Sequence, residues 1–250
     1  MIDEVTITEA ITKKYFEKFL KGIRCDVAVV GGGPSGLVAA SLLGKKGYKV
    51  SLFEKKLSLG GGIWGGGMTF NKIVVQREAV FVLDEFSIDY EEYDGYFVAD
   101  AVELAGSLIY NASKNANIYN LVNVEDVMVK NGRLKGLVVN WSAVELASLH
   151  IDPLTIECKA VIDATGHDAA VCTITSKKTG SFELKGERYM DAESGERGVV
   201  RKTSEVFPGL YVTGMSVAVV YGLPRMGPIF GGMLLSGKKV AEIVDRDLRK

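Results

Sequence analysis

The sequence predicts an α/β, Rossmann-like dinucleotide-binding fold, a central parallel sheet flanked by helices, as a single domain over residues 1–250. Three observations predict it. Val27-Ala-Val-Val30 is a short, wholly apolar run that reads as a strand buried on both faces. It enters Gly31-x-Gly33-x-x-Gly36 directly, and Leu37-Val-Ala-Ala-Ser-Leu-Leu43 continues as an apolar helix. A second strand, Lys49 to Phe53, closes on Glu54, eighteen residues past Gly36. Gly31 permits the tight turn, Gly33 lets backbone approach a pyrophosphate, and Gly36 lets helix pack on strand. The pyrophosphate is expected at the helix N-terminus, where free N–H groups and the helix dipole favour an anion. Glu54 is placed to accept from a ribose hydroxyl.

Composition narrows the class. At 250 residues and 47% hydrophobic content the chain can fill a substantial core. A formal net charge of −1 gives no footprint for nucleic acid or an anionic membrane surface. No segment approaches the roughly 18 apolar residues of a membrane span. The acidic, amphipathic N-terminus is unlike a signal peptide, so a soluble cytoplasmic protein is expected. Cys25, Cys158 and Cys172 show no CxxC spacing, which argues against a disulfide framework or zinc knuckle.

The remaining elements follow in order. Thr6-x-x-Glu9 has the form of a capping box opening a helix to about Lys21, with Ile11, Tyr15, Phe19 and Leu20 as its apolar stripe. After the βαβ unit (24–56), Gly60-Gly-Gly-Ile-Trp-Gly-Gly-Gly67 predicts a close-packed loop over the dinucleotide. Residues 71–100 read as a strand-and-helix insertion, and 100–113 as a helix. Ile118 to Val122 returns to the sheet. Val124 to Val129 and Arg133 to Trp141 form a hairpin about Asn131-Gly132, a strong turn signal. Residues 154–164 read as one strand ending in Asp163-Ala-Thr-Gly166. Gly209 to Met215 is the last strand and turn, and Gly231 to Arg249 the closing helix. Residues 176–205, rich in Lys and Arg, read equally as a closing loop or a solvated excursion.

The glycine turn, the acid, the Ala-Thr-Gly strand end and the late Gly-Leu-Tyr-x-x-Gly strand follow the order of the glutathione-reductase-like group, with a β-meander layer and FAD as the default ligand. That group usually places Asp after the late glycine. Here it is Met215, which offers no strong acceptor to a flavin hydroxyl. The two histidines suggest other chemistry. His150-Ile-Asp152 puts imidazole and carboxylate on one side of an extended chain. His167-Asp168 follows the carboxyl end of a core strand, where ligands of such sheets bind. Imidazole with carboxylate suits a divalent first-row metal, though a hydrogen-bonded structural histidine is the other reading. Arg225, bracketed by Gly222-Leu-Pro and Met-Gly-Pro228, can clamp a carboxylate or phosphate.

GGGPSG, GGGIWGGGM, HIDP, DATGHD and GLPRMGP together, along nearly the whole chain, resemble the thiamine thiazole synthases of the short archaeal kind. The resemblance implies that NAD is a substrate. Nicotinamide leaves, and the ADP-ribose part condenses with glycine and sulfur into adenosine diphosphate 5-(2-hydroxyethyl)-4-methylthiazole-2-carboxylate. Ser35, Glu54, Lys55, Gly62 and Val124 match nucleotide-holding positions, Met215 a dinucleotide contact, and Arg225 the clamp on the glycine carboxylate. Asp152 and His167 match Fe(II) ligands contributed to one site by neighbouring subunits, in proteins that form octamers. Eukaryotic relatives carry a sulfur-donating cysteine where this chain has His150. The resemblance therefore implies free sulfide as donor, multiple turnovers, and an acid–base role for His150. The rivals are an FAD-dependent oxidoreductase of the same fold, a ribose-1,5-bisphosphate isomerase and a non-enzymatic NAD or metal sensor.

Overall fold

A computed structural model describes all 250 residues. Helix α1 (Glu4–Gly22) starts earlier than the Thr6–Glu9 box suggests: the Asp3 carboxylate accepts from the Thr6 N–H and is the cap. Phe19 buries against Tyr119 while Val5, Ile11, Phe16 and Leu20 stay exposed. Strand β1 (Val27–Val30), helix α2 (Pro34–Lys45) and strand β2 (Val50–Glu54) form the βαβ unit as read. The insertion comprises β3 (Lys72–Val75), α3 (Val80–Glu85), β4 (Tyr90–Tyr93) and β5 (Tyr96–Asp100), an antiparallel sheet in the order β3-β5-β4. Asp100 then caps α4 (Ala101–Asn115) by accepting from the N–H groups of Val102 and Glu103.

Two sequence-read strands divide differently. The return to the sheet stops at β6 (Asn117–Asn120), Leu121 takes a left-handed φ of 58°, and Val122 already belongs to β7 (Val122–Lys130). Strand β8 (Arg133–Trp141) pairs back on β7 through the expected Asn131-Gly132 turn, and the short helix α5 (Ser142–Leu146) follows. Residues 154–164 are two strands in two sheets. β9 (Leu154–Glu157) buries one residue in four and joins the β7-β8-β9 meander, whereas β10 (Ala160–Asp163) is wholly buried and joins the central sheet. The stretch left open resolves into α6 (Ala170–Thr179), an irregular strap, α7 (Ala192–Lys202) and the edge strand β11 (Ser204–Phe207). Strand β12 (Leu210–Val212), helix α8 (Met215–Tyr221) and helix α9 (Gly231–Leu248) complete the chain. No helix is long and apolar enough to cross a membrane.

The central sheet runs β11-β12-β10-β1-β2-β6, parallel except for β11. Period-two alternation splits its side chains between two cores. Val27, Val29, Leu52 and Ile162 pack against α2, α4 and α9. Ala28, Val30, Phe53 and Val161 pack against Leu134, Leu137, Val139 and Ile156 of the meander. The sheet is thus sandwiched between helices and a β layer. Leu52 is fully buried in the helix-side core. Leu52→Ala is expected to cost about 2–5 kcal/mol, seen as a lower urea midpoint at unchanged slope. A cost under about 1 kcal/mol would mean that the core collapses onto the gap.

Candidate active site at the carboxyl ends of the central strands

The chain reverses at Gly31 with a φ of 99°, where a Cβ would lie 2.4 Å from the Ala164 carbonyl oxygen. Only glycine fits where the turn after β1 passes the end of its parallel neighbour β10. A Cβ on Gly36 would sit 2.1 Å from the Gly31 oxygen, so Gly36 serves the packing of α2 rather than the cleft wall. Gly33, at the N-cap of α2, has nothing within 4 Å of a notional Cβ, leaving the space a phosphate requires. The second glycine cluster meets this turn through the Gly60 N–H, which donates to the Gly32 oxygen at 2.7 Å. It packs less closely than its sequence suggests: Ile63 is buried, but Gly61, Gly62, Trp64 and Gly65 are exposed. A Cβ on Gly61 would come within 3.2 Å of the Gly33 Cα.

Glu54 ends β2 only 8% exposed, and its carboxylate is already engaged. One oxygen accepts from the Gly32 N–H and the other from the Lys56 N–H, both at 2.8 Å. It braces the glycine turn and keeps lone pairs on both oxygens for a further donor. Next to it, Lys55 reaches across to Asp168 at 2.7 Å, a contact that raises the Lys55 pKa and joins the ends of β2 and β10.

At the end of β10 the fully buried Asp163 shapes the turn that carries His167. Its carboxylate accepts from the Thr165 N–H and hydroxyl at 3.0 and 2.7 Å, and from the Cys172 N–H at 2.8 Å. The turn Gly166–Asp168 then presents His167 to the cleft. The strap brings in a residue that the sequence did not flag. Glu187 Oε1 lies 2.6 Å from His167 Nδ1, and Glu187 Oε2 lies 3.4 Å from Arg225 Nε. Glu187 stands among polar residues with no period, so no local signal marks it.

One cleft of about 660 Å³ unites these groups, within the range of small-molecule sites. Gly31, Gly33, Ser35, Glu54, Lys55, Gly62, Val124, His167, Met215 and Arg225 line it. His150 and Asp152 do not; they lie exposed between α5 and β9. No three His, Cys, Asp or Glu side chains of one chain gather in a metal-binding group. His167 offers one imidazole with its Nδ1 side taken, which fits a single position in a divalent metal's ligand set. The cysteines stand apart from this chemistry. Burial pushes the Cys25 thiol up to about 11 and the Cys158 and Cys172 thiols well above their ordinary value. None of the three lines the cleft.

A strand–glycine turn–helix and Glu54 sharing one cleft with an imidazole and a guanidinium, at the end of a mostly parallel sheet, define an α/β protein of the Rossmann-like dinucleotide-binding fold. The chain belongs to the Thi4 family, whose profile matches residues 8–230. A relative from Pyrococcus horikoshii named thiamine thiazole synthase is 54% identical over 251 residues, covering 100% of both chains. The crystal structure of Thermovibrio ammonificans THI4 superposes with a TM-score of 0.96 at 49% identity, over 100% of this chain and 99% of that one. A geranylgeranyl bacteriochlorophyll reductase-like protein from Thermoplasma acidophilum shares the fold alone, at 14% identity and a TM-score of 0.60, over 90% and 79% of the chains. The chain is therefore an enzyme of thiazole synthesis for thiamine, on a fold shared with such oxidoreductases.

Proposed function

We propose that this enzyme converts NAD, glycine and free sulfide into the adenylated thiazole carboxylate, releasing nicotinamide and turning over repeatedly with iron(II). The observation that carries the reading is the single cleft joining the glycine turn and Glu54 to His167 and Arg225. The glycine turn and α2 hold the pyrophosphate, and Glu54 and Lys55 grip the adenosine side. Arg225 fixes the glycine carboxylate, which leaves the amine free to condense with the ribose-derived carbonyl. His167, together with Asp152 of a neighbouring copy, would hold the iron. Iron(II) supplies a Lewis-acid centre that stabilises developing negative charge and lowers the pKa of a bound nucleophile.

Asp152 lies among exposed apolar side chains, Leu146, Leu149, Ile151 and Leu154. With the bare stripe of α1 they form surfaces suited to further copies of this chain, consistent with an octamer. His150 carries no sulfur and the three cysteines are buried, which supports sulfide from solution. His150 acts in proton transfer during tautomerisation. His150→Gln is expected to slow turnover about 10²–10⁴-fold at undiminished iron content, whereas unchanged turnover would remove His150 from catalysis.

The test is anaerobic incubation of the protein with NAD, glycine, sulfide and Fe(II), followed by mass spectrometry. Product in excess over enzyme, and absent without sulfide, is the expected result. NAD left intact would sink the reading and direct attention to bound flavin or to ribose bisphosphate turnover.

A further inference from the structure

We propose that Glu187 is a positioning residue that couples the His167 imidazole to the Arg225 guanidinium, so that the metal position and the carboxylate clamp are set by one side chain. The proposal rests on the functional reading above, in which His167 takes the metal and Arg225 the glycine carboxylate. Glu187 is the protected member of the trio: its side chain is 16% exposed, against 56% for His167 and 58% for Arg225. An incidental surface ion pair would leave the carboxylate as open as its partners.

Backbone geometry ties Glu187 to the clamp. Either side of it, the Gly186 N–H donates to the Val219 oxygen at 2.9 Å and the Arg188 N–H to the Leu223 oxygen at 3.0 Å. The Arg225 N–H donates to the Tyr189 oxygen at 3.0 Å, and the Asp191 N–H to the Arg225 oxygen at 3.1 Å. The strap thus runs in register with the segment bearing Arg225. Glu187 keeps its place relative to that guanidinium without help from its own side chain.

The chemistry then divides cleanly between the two carboxylate oxygens. A carboxylate only accepts, so the 2.6 Å contact places the proton on His167 Nδ1 and leaves the Nε2 lone pair for a metal. The other oxygen faces Arg225 Nε, which leaves the two terminal nitrogens as an end-on fork for a substrate carboxylate. Ligating histidines commonly hold such a carboxylate on their second nitrogen, and its loss costs about 10–100-fold in metal affinity. Here the same group also orients a substrate clamp, so both functions fall with it.

The two carboxylate contacts make the variants distinguishable. Glu187→Ala removes both, and is expected to weaken Co(II) binding about 10–100-fold and to raise KM for glycine. Glu187→Gln keeps an oxygen for the Nδ1–H but loses the charge facing Arg225. It is expected to match the alanine variant in glycine KM while losing less Co(II) affinity. Both should bind NAD as the parent does, measured on the full-length protein in its native assembly. Parent-like Co(II) and glycine behaviour in Glu187→Ala would overturn the proposal, as would a matching loss of NAD binding, which marks a purely structural strap. Failure of the unmodified protein to bind Co(II) would instead overturn the iron reading, and this proposal with it.

Discussion

Replacing His167 with alanine is expected to abolish iron binding and turnover together while NAD still binds. His167 lines the cleft but makes none of the hydrogen bonds that shape the glycine turn, and it is more than half exposed, so its loss opens no cavity. The nucleotide-binding half keeps every contact that shapes it. In the proposed function a bound metal would supply several kcal/mol of charge stabilisation, so turnover should fall about a thousandfold or more. The checks are metal content after anaerobic reconstitution, NAD affinity by calorimetry and product by mass spectrometry. A variant that holds iron and remains active would strike His167 from the ligand set. Loss of NAD binding as well would mean that the turn after β10 supports the whole cleft.

The parts of this molecule that sterics dictate were legible in the sequence. Gly31 and Gly36 face backbone oxygens too close for any Cβ, so their spacing reports the geometry directly. Asn131 and Gly132 both take positive φ, 52° and 71°, as the hairpin turn demands. Strand boundaries were less legible where the chain changes sheets. Leu154-Thr-Ile-Glu157 alternates and Ala160-Val-Ile-Asp163 does not, and that contrast was the available signal for two strands. Leu121 in a left-handed conformation carried no signal at all, since leucine does not favour that region.

Helix α8 and the strap depend on tertiary context. Met215-Ser-Val-Ala-Val-Val-Tyr221 is rich in β-branched and aromatic residues that locally favour strand, but it is nearly all buried and packs as a helix. The strap has neither a turn motif nor a period, and backbone hydrogen bonds to residues 219–225 position it. Ten of the sequence-read site residues meet in one cleft. Gly31, Gly33, Ser35, Glu54 and Lys55 do so at the strand ends and helix start that the βαβ pattern locates, the others on loops and elements that the fold brings to the same edge. His150 and Asp152 lie away from the cleft, exposed on the segment between α5 and β9.

Glu54→Ala is expected to have the largest effect on nucleotide binding, through two losses at once. The buried carboxylate accepts from Gly32, inside the glycine turn, and in the proposed function its remaining lone pairs would accept from the ribose. A hydrogen bond to a charged group contributes about 1.5–3 kcal/mol, so losing the ribose contact alone raises the NAD dissociation constant about 10–100-fold. Releasing the Gly32 N–H loosens the turn that must receive the pyrophosphate, and the combined loss should exceed the single-bond figure. Glu54→Gln is not a mild control, because its amide would turn a donor toward the N–H of either Gly32 or Lys56. Calorimetric titration with NAD and with ADP-ribose should show equal losses, since the affected contacts lie on the part the two share. A lower melting temperature with unchanged affinity would confine Glu54 to bracing the turn, and ribose recognition would then fall to Lys55 and the Gly61-Gly62 backbone beside it.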